Sequence, residues 1–225
     1  MSLDYGPSPE RAWSATGWDT NALSRVLGLL GLAAAITAGG AFIGPILGLA
    51  GFWISLVGGF VVLIVLRFAR DASPINMVLF VVFSALEGVV LGDVLEIYIA
   101  QGASLVVFQA GAATAVGAFA AGAVGYITHR DLSRLGGYLF IALIVVVVAS
   151  VIGLFIQSGV LWTVISAVSA LVFTAFLVFD INRVARAGNI SEGDAIVMAI
   201  SVYLDIYNLF LDLLYLLSGR RGTGR

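Results

Sequence analysis

The sequence predicts an all-α membrane protein, a bundle of seven transmembrane helices, on three observations. Of 225 residues, 61% are hydrophobic and only 11% are charged, against about a quarter charged in an ordinary soluble domain. The apolar residues fall into seven runs, each near the roughly 20 residues that carry a helix across a bilayer core. The ionisable groups concentrate in the turns between runs and in one stripe near the end of the chain.

Residues 1–22 are polar, carry two prolines and the charges Asp4, Glu10, Arg11 and Asp19, and lack the apolar core of a signal peptide. They read as a cytoplasmic surface tail, with Trp13 and Trp18 as interface anchors. Residues 23–217 form the transmembrane domain, and 218–225 a basic tail. The first run, 22–43, stops at Gly44-Pro45, and the second, 46–68, is its antiparallel neighbour. A charged turn with Arg67, Arg70 and Asp71 closes at Ser73-Pro74. In the third run, 75–99, helical spacing puts Asn76, Phe80, Ser84 and Glu87 on one face, which points Glu87 into the bundle. Asp93 and Glu96 fall near the far end of that run, within reach of headgroups or water.

The fourth run, 103–127, is dense in glycine and alanine and reads as a tightly packed helix. The fifth, 137–156, contains four consecutive valines; its length and its neighbours override their preference for strand. Gln157, Ser158 and Gly159 turn the chain into the sixth run, 160–179. Ser191 and Asp194 have the spacing of a capping box that opens the seventh, whose apolar stretch is 197–217. A membrane β-barrel is excluded, because it would show alternating segments of about ten residues.

All eleven basic residues are arginines. Arg11, Arg25, Arg67, Arg70, Arg130, Arg134, Arg183 and Arg186 lie in the tail and in alternate connections, which places the N-terminus in the cytoplasm of a cell inner membrane. Seven crossings then leave Arg220, Arg221 and Arg225 outside. The chain has no cysteine and one histidine, His129, so disulfides, thiolate metal sites and a histidine zinc centre are ruled out. No nucleotide loop or nucleic-acid surface is present, and neither an enzyme nor a bound cofactor is expected.

In the final run Ser201, Asp205, Asn208 and Asp212 recur at helical steps, a narrow polar stripe on an apolar rod. Asp180 ends the preceding run. Ionisable groups at lipid depth are costly unless partnered or hydrated, which singles out Asp180 and Asp205. From Asp194, Asp205 is about 16 Å along the helix axis; if the sixth helix continues to Arg186, Asp180 is about 9 Å inside it, and the two can meet. Such a pair shares a proton and titrates as a coupled unit; deprotonated, it offers oxygens to a hard cation such as Ca²⁺. The alternative is that each aspartate only fixes helix packing. Asp212 reads as an interfacial residue near the outer end, and Asn208 as a donor to the carboxylate one turn below. Tyr203 and Tyr207 read as packing residues. Arg67 and Arg70 are topology determinants that can also reach the pair.

Three segments resemble the motifs of the Bax inhibitor-1 family: MAISVYLDIYNLFLDLLYLL at 198–217, VFDINRV at 178–184 and FSALEG at 83–88. The resemblance covers the chain from the first span to the last and, with the arginine-only, alanine- and glycine-rich composition, suggests a bacterial member. It implies a seven-helix bundle around a central C-terminal helix. It also implies that Asp180 and Asp205 form a pH-sensing hydrogen-bonded pair that gates passive Ca²⁺ flux, latched by an arginine for which Arg67 and Arg70 are the candidates. Glu87 and Asn208 are supporting residues, and Asp212 is a weaker addition to a Ca²⁺ site at Asp180 and Asp205.

The expected partners are therefore lipid, protons, calcium ions and a membrane protein, with no nucleic acid. The main expectation is a pH-sensitive calcium leak. The alternative is a membrane interaction protein that regulates a membrane protease or a stress or cell-death pathway, and a proton-coupled antiporter ranks third. Asp212 and the basic C-terminal tail depart from the family pattern.

Overall fold

The structure, a computed structural model, describes residues 20–156 and 158–219. Trp13, Trp18, Arg11, Gln157 and the three C-terminal arginines lie outside the described residues. Six helices follow one another: α1 Thr20–Phe68, α2 Ile75–Ala100, α3 Ser104–Ile127, α4 Ser133–Ile156, α5 Gly159–Arg186 and α6 Glu192–Gly219. Each is long and apolar enough to cross a membrane.

The expected count of seven is therefore corrected to six. The first two runs are one helical element of 49 residues, with Pro45 inside it. Gly44-Pro45 does not end the helix. The single non-helical residue is Gly48, at φ 62° and ψ −162°, a backbone conformation that glycine adopts without a Cβ clash. Straight, such an element would be about 74 Å long, more than twice a hydrocarbon core of roughly 30 Å. Instead the limbs on either side of Gly48 fold back on each other. Gly40 of the first limb lies against Ala85 and Gly88, and Gly59 of the second lies against Leu86 and Glu87, the same level of α2.

Between the first limb and α2 the backbones are in direct contact through glycines spaced by four on both sides, Gly40 and Gly44 against Gly88 and Gly92. A Cβ on Gly88 would strike the Thr37 carbonyl and the Gly40 Cα, and one on Gly92 would strike the Ala41 backbone. Small residues at this spacing let helices approach closely where lipid supplies no hydrophobic drive for association. The paired spacing of glycines at 40/44 and 88/92 is the sequence signal for this seam, which composition by itself does not carry.

Helix α6 is the axis of the bundle. It packs against α1, α2, α3 and α5, and from Gly193 to Ser218 no residue is exposed. One core, around Phe80, Phe83, Ile196, Ile200 and Tyr203, joins it to α1 and α2; a second, around Leu177, Ile181, Val202 and Leu209, joins it to α5. Helix α4 is peripheral, contacting α5 and leaving Ile141, Val145, Val148 and Phe155 exposed, as suits a lipid-facing helix.

The capping box forms as its spacing predicts. Ser191 Oγ accepts from the Asp194 N–H at 3.0 Å and donates to Asp194 Oδ2 at 2.9 Å. At the start of α4, Asp131 accepts from both the backbone N–H and the hydroxyl of Ser133. These bonds hold the exposed Asp131 carboxyl below its usual value. A depressed folded value means the cap contributes above the unfolded value of about 3.9 and is lost as pH falls through the folded one. In Asp131→Ala, faster amide exchange at Ser133 is expected at neutral pH, with the difference from the parent vanishing in strong acid. A difference that persists in acid would mean that the carboxylate is not the cap.

Candidate functional site: a buried carboxyl pair beneath an arginine rim

The connecting turns at one end of the bundle form a basic rim. Arg25 donates to the Ile190 carbonyl at 3.2 Å, and Arg186 to the His129 carbonyl at 3.0 Å. Arg70 pairs with Asp71 at 3.2 Å and Asp194 at 3.7 Å. Between the α3–α4 connection and the end of α5 is a pocket of about 270 Å³ lined by Asp131, Asn182, Arg183 and Arg186.

Asp180 and Asp205 lie below this rim, both buried. Helix α5 does continue to Arg186, so Asp180 is carried inward, and its side chain hydrogen-bonds that of Asp205. Ionised carboxylates only accept, so a hydrogen bond between two carboxyls requires that one of them carry a proton. The second oxygen of Asp205, Oδ2, is buried without a hydrogen-bond partner.

The arginine beside the pair is Arg183, whose Nη1 is 3.6 Å from Asp180 Oδ1, three residues on along the same helix. Its side chain is 41% exposed against 7% for Asp180, so it joins the buried pair to the rim pocket. The three-residue spacing within VFDINRV is the sequence signal for this contact. Arg70 is engaged elsewhere on the rim, and Arg67 is exposed in the last turn of α1. Asn182, two residues beyond Asp180, donates to the Thr128 carbonyl at 2.7 Å and the Gly125 carbonyl at 3.2 Å, a role its sequence position alone does not signal. It ties the end of α5 to the end of α3 and fixes the depth of Asp180.

Farther along α6 the tyrosines do more than pack. Thr37 Oγ1 donates to the Ser84 carbonyl at 3.0 Å and accepts from the Tyr203 hydroxyl at 2.8 Å. The Tyr207 hydroxyl donates to the Glu87 carbonyl at 3.2 Å. Glu87 faces the bundle, as its spacing predicts, beside a cavity of about 310 Å³ that Asn208 also lines. Asn208 donates to its own helix, at the Leu204 carbonyl 2.7 Å away, instead of to a carboxylate. Asp212, expected at the interface, faces α5: it hydrogen-bonds Ser169, and its Oδ2 is buried without a partner. Asp93, expected to reach headgroups or water, likewise buries an unpartnered Oδ2, whereas Glu96 is exposed. Among the described residues, no three histidine, cysteine, aspartate or glutamate side chains are grouped as a metal site.

The motifs that position this pair are shared with a known family. A family model described as inhibitor of apoptosis-promoting Bax1 matches residues 20–222. The chain belongs to the Bax inhibitor-1 family. As a member it is an integral, multi-pass membrane protein. It is 42% identical over 151 residues, 65% of its length, to an uncharacterized membrane protein of Streptococcus pyogenes serotype M6, and the match spans 64% of that relative's length. It is 32% identical over 184 residues to an uncharacterized protein of Helicobacter pylori, covering 79% of each chain. A third relative, from Campylobacter jejuni, is 34% identical over 167 residues, 74% of this chain and 71% of its own.

Proposed function

We propose that this Bax inhibitor-1 family protein is a membrane-embedded regulator that acts through another membrane protein in a stress or cell-death type of pathway, with Asp180 and Asp205 as an internal latch on its conformation. The family match supports the first part. The observation that carries the second is a single carboxyl–carboxyl hydrogen bond joining α5 to the central α6. Losing its proton puts two negative charges side by side in a low-dielectric interior, a repulsion that favours separation of the two helices.

A second reading, a pH-sensitive passive Ca²⁺ leak, is favoured by the unpartnered Asp205 Oδ2. Deprotonated, the pair offers carboxylate oxygens to a hard cation. Two carboxylates supply fewer than the six to eight oxygens that Ca²⁺ takes, which suits a transit point better than a storage site. The excess of arginine at the rim supports a cytoplasmic location for that end.

One pair of measurements separates the readings. The wild type and Asp180→Asn/Asp205→Asn are used to capture membrane proteins in mild detergent, and both are reconstituted in Ca²⁺-loaded liposomes between about pH 6 and 8. The regulator reading expects a partner retained by the wild type with little Ca²⁺ release at any pH. It fails if no membrane protein is retained and flux is large. The leak reading expects release that varies with pH in the wild type and is flat in the double variant.

A further inference from the structure

We propose that the cavity between α4, α5 and α6 is a binding site for a hydrophobic primary ammonium compound that enters from the lipid side. The cavity measures about 360 Å³, within the roughly 300–1,000 Å³ of small-molecule sites. Most of its wall is apolar, with Val147, Val151 and Leu154 on the exposed face of α4. Its mouth therefore opens toward lipid.

Its polar groups are four: Ser150, Ser169, Asn208 and Asp212. Their donors are largely spent within the protein. The Ser150 hydroxyl donates to the Val146 carbonyl at 2.8 Å, an Asn208 amide hydrogen is held by the Leu204 carbonyl, and Ser169 bonds the Asp212 carboxyl. What remains for an occupant is an acceptor-rich lining around one carboxyl, that of Asp212. An ionised carboxylate in an apolar wall only accepts, so the occupant should bring N–H donors.

A bare inorganic cation would satisfy the carboxylate and leave the apolar wall unused. An ammonium on an apolar body satisfies both. Trp162, seated against Gly153 where a side chain would crowd it, adds an aromatic face to the apolar wall. Asp212 is seven residues, about 10 Å, from the end of α6. That depth is reachable by a free amine dissolved in the bilayer or by a lipid headgroup ammonium. The site is separate from Asp180 and Asp205 and does not depend on the proposed function.

The test uses the full chain in phosphatidylcholine nanodiscs and equilibrium dialysis with phenylbutylammonium and its uncharged counterpart phenylbutanol. Saturable binding of the ammonium, about tenfold or more tighter than the alcohol, is expected, with a similar loss in Asp212→Asn. Val147→Trp, which fills the cavity and leaves the carboxyl in place, should also abolish binding. Equal affinity for the two probes overturns the proposal. So does undiminished ammonium binding in Asp212→Asn or, should that variant not remain monodisperse, in Val147→Trp. Phosphatidylethanolamine added to the discs then tells the sources apart: competition assigns the site to the headgroup, and its absence assigns it to a free amine.

Discussion

Gly92→Leu should prevent α1 and α2 from assembling, the largest stability loss expected of a single substitution in this protein. Any side chain at this position starts with a Cβ lodged in the backbone of Ala41, and backbone cannot turn aside as a flexible side chain can. Overpacking of interiors ordinarily costs about 1–3 kcal/mol. Here separating the helices also opens the Gly40, Gly44 and Gly88 contacts and strains the Thr37 bonds to Ser84 and Tyr203, so a loss of at least about 3 kcal/mol is expected. The control is Gly28→Leu, where nothing lies within 4 Å of an added Cβ. Thermal unfolding in detergent, followed by size exclusion, should show Gly28→Leu near the parent and Gly92→Leu aggregated or strongly shifted. Equal behaviour of the two would remove the glycine seam as the basis of α1–α2 packing.

The second large effect lies in the carboxyl pair and is a matter of non-additivity. Asp180→Leu removes the hydrogen-bond partner of Asp205 and leaves that buried carboxyl, already with one unpartnered oxygen, stranded in an apolar surrounding. Stranding one member of a buried polar pair costs about 3 kcal/mol, whereas replacing both with apolar groups of similar volume is often close to neutral. The double variant Asp180→Leu/Asp205→Leu should thus be more stable than Asp180→Leu alone, with a coupling of about 1–3 kcal/mol. Arg183 does not cancel this, because its side chain is partly exposed and can turn to water when Asp180 is lost. Additive losses in the cycle would show that the two aspartates do not share a hydrogen bond.

Much of this arrangement was legible beforehand, for identifiable reasons. The runs between charged turns located α2 to α6, because a lipid-spanning helix announces itself by length and hydropathy alone. The depth of Asp180 followed from helix rise once α5 was continued to Arg186, and the Ser191–Asp194 cap followed from a local spacing. Glu87 faced inward as the period of α2 required. The error at Gly44-Pro45 has a local cause as well: a proline inside a helical pattern is a strong break signal, yet the helix continues past Pro45 and the chain turns at Gly48. Distance from a helix end says nothing about which neighbour covers a given face, so the burial of one oxygen in each of Asp93 and Asp212 was not legible in the sequence.

Sequence alone determined that this is a helical membrane protein, that its polar groups lie on one stripe of the last helix, and that two family motifs carry Asp180 and Asp205. These are properties of period, length and residue type, all encoded locally. Only the tertiary structure decided that the first 49 helical residues are one element folded at Gly48, that α6 is enclosed by its neighbours, that Arg183 is the cation beside Asp180, and that Asp212 meets Ser169 beside a cavity. Those facts depend on how closely helices distant in sequence approach and on which faces they turn to one another. Glycine against backbone sets that approach at the α1–α2 seam, through contacts between residues about fifty positions apart.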